Sequence, residues 1–314
     1  MKMSTESLQT INHNTIHPYR VRQGLIGLDF DETSQNLLRY LAMFSSKVPI
    51  EAVHFLHVVP KHNLFNVFEE EESDLLSQSV GIDKELINKL KLQVKTNFPV
   101  QEKMKIKVEV REGDPLEELL ETADKIKSDM VIIGQNAERN HHGILGKNFA
   151  RQIWNNALVV PSKVRMSLKN ILVPVDFSPN SAEALRAAVA INKNLETPAS
   201  ISVLHNYQLP ANFSAYRFNQ EKVMEMLKED RKNALDNFIQ EHVPAEDSKS
   251  LKPILLGNNH FSVGQYIHAF AEKRKFDLIV MGAKGHSKVA LLLLGSVTEK
   301  VISLTKHVPV LIIR

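Results

Sequence analysis

Four residues near the end of the chain, Gly282, Gly285, Gly295 and Ser296, have the types and spacing to hold an anion through the main chain. The pair Gly282-Ala-Lys-Gly285 follows a short apolar run, Asp277-Leu-Ile-Val-Met281, so two glycines three apart leave the end of a buried strand. Without a Cβ in the way, backbone N–H groups at such positions can turn towards a bound anion. After nine intervening residues, ending in Leu291-Leu-Leu-Leu294, Gly295-Ser296 makes the same offer at the start of a helix. There the first N–H groups have no partner within the helix and the helix dipole favours negative charge. The same letters also have a plain structural reading. Ser296 with Glu299 spells a capping box, and a glycine before a helix is often only a turn.

Other chemistries find little support. No Gly-x4-Gly-Lys-Ser/Thr occurs, so the mechanics of P-loop hydrolases cannot be borrowed. The absence of cysteine removes disulfides, thiolate metal sites and cysteine nucleophiles. His54 and His57, three apart on a strand, point to opposite faces, and His141-His142 has no visible third ligand, so a zinc site is not expected. A formal charge of +3 over 314 residues, with Lys and Arg dispersed among acids, carries no nucleic-acid footprint. No apolar run reaches membrane-spanning length and the N-terminus lacks a signal-peptide core, so a cytoplasmic protein is the expectation.

The elements that must position these residues come as a duplicated series. In the first half, strands are predicted at Gly24–Asp29, Ala52–Val59, Lys105–Arg111, Met130–Gly134 and Ala157–Val160. Helices fall between them, over Phe30–Ser46, about Asp83–Asn97, and from Asp114-Pro-Leu-Glu117, which combines a capping carboxylate, a first-turn proline and an acid. The second half repeats this with strands at Asn170–Asp176, Ser200–Tyr207, Lys252–Leu256, Leu278–Gly282 and Val308–Ile313, and helices at Ser181–Lys193, Gln220–His242 and Ser262–Lys275. Asp29 and Asp176, His57 and His205, and Gly134 and Gly282 keep an offset of 147 to 148 residues. Strands alternating with helices imply parallel sheets covered on both faces, so each half reads as a doubly wound α/β domain with a five-stranded parallel sheet in flavodoxin-like order. The expected boundaries are a flexible tail over 1–20, domains over 21–162 and 169–314, and a proline-led linker at Pro161–Leu168. In such sheets ligands sit at the carboxyl ends of the strands where strand order reverses, which brings Asp176 and Gly282 to one rim.

The pattern Gly-x2-Gly-x9-Gly-Ser, met by Gly282, Gly285, Gly295 and Ser296, resembles the nucleotide-binding signature of the ATP-binding branch of the universal stress protein family. The resemblance runs from about residue 21 to the end and is stronger in the second half. It implies the adenine nucleotide alpha hydrolase-like fold, ATP as ligand, and an internal pair of domains made through the fifth strands, with a homodimer and an unknown protein partner as further expectations. By the same comparison Asp176, in Val-Pro-Val-Asp-Phe-Ser, reaches the ribose hydroxyls or a metal on the phosphates. Pro174 and Val175 then lie against the nucleotide, the Asn206 backbone faces adenine where relatives have an apolar residue, and Met281 covers the base. Val297 and Thr298 extend the phosphate-facing turn, and Lys284 and His286 either add charge to the polyphosphate or belong to a solvated loop. Mg²⁺ needs only one or two protein oxygens, which Asp176 and Ser296 would supply. His205 is read as structural. The first half keeps Asp29 and His57 but has Gly27 for the proline and Ala137 for the second glycine. It also has eight residues, Glu138 to Leu145, before Gly146, and Lys147-Asn148 for Ser-Val, so ATP binding there is not expected. A regulator that binds ATP is the leading reading. A slow Mg²⁺-dependent hydrolase or phosphotransferase, and a nucleotide-independent scaffold, are the alternatives.

Overall fold

A computed structural model describes residues 15–60, 84–99, 104–135, 154–208, 220–258, 262–285 and 294–314. The first half supplies β1 (Val21–Gly27), α1 (Glu32–Ser45), β2 (Ile50–Pro60), α2 (Lys84–Asn97), β3 (Lys105–Gly113), α3 (Pro115–Lys125), β4 (Met130–Gln135) and β5 (Asn156–Pro161). The second supplies β6 (Asn170–Val175), α4 (Pro179–Asn192), β7 (Ser200–Gln208), α5 (Gln220–His242), a short α6 (Ala245–Ser248) and β8 (Leu251–Asn258). It closes with α7 (Val263–Lys273), β9 (Leu278–Gly282), α8 (Ser296–Leu304) and β10 (Val310–Ile313).

Each half is a parallel five-stranded sheet, and its inner strands are largely apolar because helices cover both faces, while the outer strands β3 and β8 carry charges. Leu37, Leu41 and Phe44 of α1, Leu90 of α2, Leu185 of α4 and Phe238 of α5 pack on one face. On the other lie Leu119 of α3, Ile267 of α7 and Val301 of α8. The strand order in each half is 3-2-1-4-5, so the reversal falls between the first and fourth strands, β1/β4 and β6/β9. In the flavodoxin order it would fall between the first and third. The two sheets are also not separate. β5 and β10 pair antiparallel, Val159 with Val310, Leu158 with Leu311 and Ala157 with Ile312, giving one sheet of ten strands.

The duplication extends to small devices. Asp129, just before β4, donates its N–H to the Gln23 carbonyl and accepts from the Arg22 and Gln23 amides at 2.9 and 2.8 Å. Asp277, just before β9, donates to the Asn170 carbonyl and accepts from the Lys169 and Asn170 amides at 2.8 and 2.9 Å and from the Ser167 hydroxyl. Each aspartate thereby fixes the entry of a half's central strand to the start of its neighbour.

One expectation about the segments outside the domains needs correction. Residues 15–20, read as part of a loose tail, are seated in the molecule. Ile16 is buried, the Tyr19 amide donates to the Ala190 carbonyl, and Asn194 and Asn156 bond its carbonyl and hydroxyl. Two apolar side chains three apart, with a backbone that finds partners on the second half, outweigh the polar residues around them. The linker is likewise pinned: Arg165 bonds the Phe276 carbonyl and the Glu272 carboxylate, each at 3.0 Å. Glu272 also receives the His307 and Lys306 amides and the His307 ring. Burial alone would raise the Glu272 pKa, but these bonds outweigh it and hold the carboxyl below its usual range.

The outermost strands are β3 and β8. β3 carries Lys105, Lys107, Glu109 and Arg111, and β8 carries Lys252 and Pro253. Against the raising effect of burial, hydrogen bonds from Lys107 and Arg111 hold Glu109 at about 2.

Replacing Asp277 with Ala strands two strand-entry amides and is expected to lower unfolding stability by roughly 2–4 kcal/mol. The equivalent Asp129→Ala, at a side chain 29% exposed, should cost less. Urea denaturation of the two variants beside the parent protein measures the difference, and equal losses would show that the two devices bear the same load.

Candidate functional site

The rim between β6 and β9 opens into a cavity of about 370 Å³. Pro174, Val175, Asp176, Asn206, Met281, Gly282, Lys284, Gly285, Gly295, Ser296, Val297 and Thr298 all line it, so the binding residues expected in the second half, His286 aside, fall in one place. His286 and residues 287–293 lie outside the described residues.

The glycines are required, though not for backbone handedness: among the described residues no glycine has positive φ. A Cβ on Gly282 would stand 2.8 Å from the backbone of Asn180 in the first turn of α4. Gly282 therefore permits close packing of helix against strand, a contact the sequence does not announce. A Cβ on Gly285 would come within 2.1 Å of Asp176 Oδ2, so the main chain here lies directly against that carboxylate. Gly295 is less constrained, with the Ala283 carbonyl 3.3 Å from its notional Cβ, and its amide donates to that carbonyl at 2.7 Å.

Asp176 directly follows β6, and its Oδ1 accepts from the Ser178 amide at 3.1 Å. Between them Phe177 adopts φ 66°, a left-handed conformation that is costly for a bulky residue. Its ring stacks on His205 at 4.2 Å and meets Phe238 edge-on at 5.5 Å, contacts that hold the turn. His205 Nδ1 donates to the Val175 carbonyl at 2.9 Å. Burial lowers its pKa, the bond to Val175 only partly opposes this, and the ring stays neutral. His205 thus shapes the rim from behind it, as the sequence implied for a structural histidine. His57 repeats the contact to Leu28 at 2.8 Å and packs on Phe30.

The start of α8 differs from those of α3 and α7. Asp114 caps α3 by accepting from Leu116 and Glu117, with Pro115 in the first turn, and Ser262 with Gln265 forms a complete capping box on α7. Both motifs were legible. The box spelled by Ser296 and Glu299 does not form. Gly295 is the N-cap with no side-chain cap bond, and Ser296 is the first helical residue, exposed at the rim. Thr298 does not turn its hydroxyl to the rim; it donates to the Gly282 carbonyl at 2.9 Å and ties α8 to β9. The helix N-terminus consequently faces the cavity with its first amides uncapped by any side chain, an arrangement suited to an anion.

Sequence reasoning did not single out Ser181, Leu204, Val263 and Ile267 as lining residues. Val263 and Ile267 come from α7, which Gly264 brings against α8: a Cβ there would lie 2.9 Å from the Val297 carbonyl. The capping box at Ser262, which starts α7 at the rim, was the available signal. Asp176 carboxylate and Ser296 hydroxyl are hard oxygen donors lining the same cavity, a set that fits Mg²⁺ on a phosphate ligand. Among the described residues no group of three metal-ligating side chains occurs.

The first half has a corresponding cavity of about 300 Å³ at the β1/β4 reversal, lined by Gly27, Asp29, Thr33, His57 and Gly134 among others. Its departures at Ala137 and at Gly146, Lys147 and Asn148 lie outside the described residues.

A family model described as the universal stress protein family matches residues 22–159 and 167–314. Universal stress protein MJ0531 of Methanocaldococcus jannaschii is 34% identical over 150 residues, covering 46% of this chain and 82% of that one. A crystal structure of a universal stress protein from Archaeoglobus fulgidus superposes with a TM-score of 0.62 at 18% identity, covering 96% of this chain and 98% of the other. A functionally unknown protein from Pseudomonas aeruginosa gives a TM-score of 0.60 at 14% identity, covering 93% and 92%. At these identities the structural likenesses speak for the fold. No helix among the described residues is long and apolar enough to cross a membrane.

The steric contrast between the two glycines predicts opposite outcomes. Gly282→Ala forces backbone apart and should lower stability by about 1–3 kcal/mol. Gly285→Ala meets only the end of a side chain that can swing away, so its thermal midpoint should stay near the parent's. Differential scanning fluorimetry of both variants decides, and a large loss at Gly285 would mean that the Asp176 contact is rigid.

Proposed function

The chain belongs to the universal stress protein family, with two family units in tandem, and from that premise we propose that its second half binds ATP with Mg²⁺ as a regulatory ligand in a cytoplasmic stress response. The observation that carries this reading is the convergence of the Gly282, Gly285, Gly295 and Ser296 motif, Asp176 and an uncapped helix N-terminus on one cavity at the sheet's reversal point. The apolar end, between Pro174, Leu204 and Met281, suits a base. The amides at the start of α8 suit the phosphates, and Lys284 adds charge beside them.

Asp176 is the sole carboxylate among the described lining residues. If it serves the metal it cannot also activate water, which favours ATP as a ligand that biases conformations or partners over ATP as a substrate. The first half, with its motif altered at Ala137 and Lys147, takes no ATP on this reading and serves structure and pairing.

Isothermal titration with ATP and Mg²⁺ is expected to give one site per chain. Ser296→Glu should weaken ATP at least about tenfold by setting a carboxylate among the phosphate-facing amides. It should leave stability unchanged or slightly higher, because an acid in the first turn favours the helix. Two sites per chain would overturn the asymmetry between halves, and no binding would overturn the reading itself.

A further inference from the structure

Asn206 stands where its side chain has no structural employment. It lies near the end of β7, one residue beyond the last pairing of β6 with β7 at Val175 and His205, and opposite Leu256 of β8. Side chains alternate along a strand, so Asn206 leaves the face on which His205 packs against Phe177 and joins Leu204 in lining the cavity. Its Oδ1 and Nδ2 are both sealed from water, and neither has a hydrogen-bond partner among the described residues. Orphaned amide atoms cost stability that a leucine or valine at the same position would not, and such groups call for an explanation in what they bind.

On the reading that this cavity takes a purine nucleotide, we propose that the Asn206 side-chain amide reads the base and selects adenine by its 6-amino edge. The neighbours Pro174, Leu204, Val263, Ile267 and Met281 are apolar and offer a heterocycle only contact area. Asn206 alone among the lining residues on this side places a donor and an acceptor side by side. The side chain would have to turn to bring both atoms to the cavity when a base enters, and the last torsion of an asparagine is broad enough to allow it. Adenine answers with its 6-amino donor and an adjacent ring-nitrogen acceptor, the bidentate match that asparagine makes to this base elsewhere. Guanine also offers a donor and an acceptor, but its 2-amino group would be set against the apolar wall without an acceptor. The role belongs to the side chain, and is separate from any contact the strand backbone makes.

The test uses ATP and purine riboside 5′-triphosphate, which lacks only the 6-amino group, titrated into the full chain and into Asn206→Leu. The parent protein should bind ATP roughly tenfold more tightly than the analogue, because losing the amine leaves the amide unpaired. In Asn206→Leu the two ligands should bind alike, and the empty variant should melt higher than the parent, as the orphaned atoms are gone. Equal binding of both ligands by the parent, or an unchanged preference in Asn206→Leu, overturns the assignment while leaving ATP binding in place. Should the parent bind neither ligand, the nucleotide reading falls and this inference with it. Should Asn206→Leu fail to fold, Asn206→Val takes its place, since a preference in the parent alone does not separate the side chain from the strand backbone.

Discussion

The pairing of β5 with β10 is the constraint from which the rest of the molecule follows. Each half is a parallel sheet whose fifth strand would otherwise be an open edge of apolar residues. Ala157, Leu158, Val159, Val310, Leu311 and Ile312 are fully buried in the joined sheet. Because this one ladder is antiparallel while all the others are parallel, the strands of the two halves run in opposite senses. Their carboxyl ends, and the cavities at them, open in opposite directions. No single ligand can bridge the two, and one cavity can change its chemistry without disturbing the other. Gln135 provides a direct link across the join, donating from the end of β4 to the Ile302 carbonyl on α8 at 2.8 Å.

Within the second half the cavity is bounded by what is missing as much as by what is present. Gly282 and Gly264 let α4 approach β9 and α7 approach α8, so two of the glycines that shape the rim act through packing. Helix α8 gives up a side-chain cap, and Phe177 holds a left-handed conformation. These are local costs of about 1 kcal/mol or more each. The aromatic stack of Phe177 on His205 offsets part of the second, and a ligand at the rim would offset the first.

Much of this was legible from residue types alone, and the exceptions have physical reasons. The order and kind of the elements followed from periodicity, and the starts of α3 and α7 from Asp114-Pro115 and Ser262-x-x-Gln265, since those signals are local. The repeat gave the convergence of Asp176 with Gly282. Ser296-x-x-Glu299 had the same form as a true capping box, but whether a serine becomes N-cap or first helical residue depends on the backbone entering it, here Gly295 drawn to the Ala283 carbonyl. The joining of the halves through their fifth strands was implied by the family resemblance and is what β5 and β10 do, whereas the strand order and the seating of Ile16 and Tyr19 depend on partners more than a hundred residues away. Thr298 does line the rim, but where its hydroxyl goes was not legible, because its partner, the Gly282 carbonyl, is set by the packing of α8 on β9.

The borders of the ten-stranded sheet now carry a meaning of their own. With both fifth strands consumed in the middle, β3 and β8 are the outer strands among the described residues, one studded with Lys105, Lys107, Glu109 and Arg111, the other interrupted by Pro253. Charge and proline are the usual deterrents to strand addition. Those borders resist the addition of a further strand, which leaves the helical faces as the broader surfaces of the molecule.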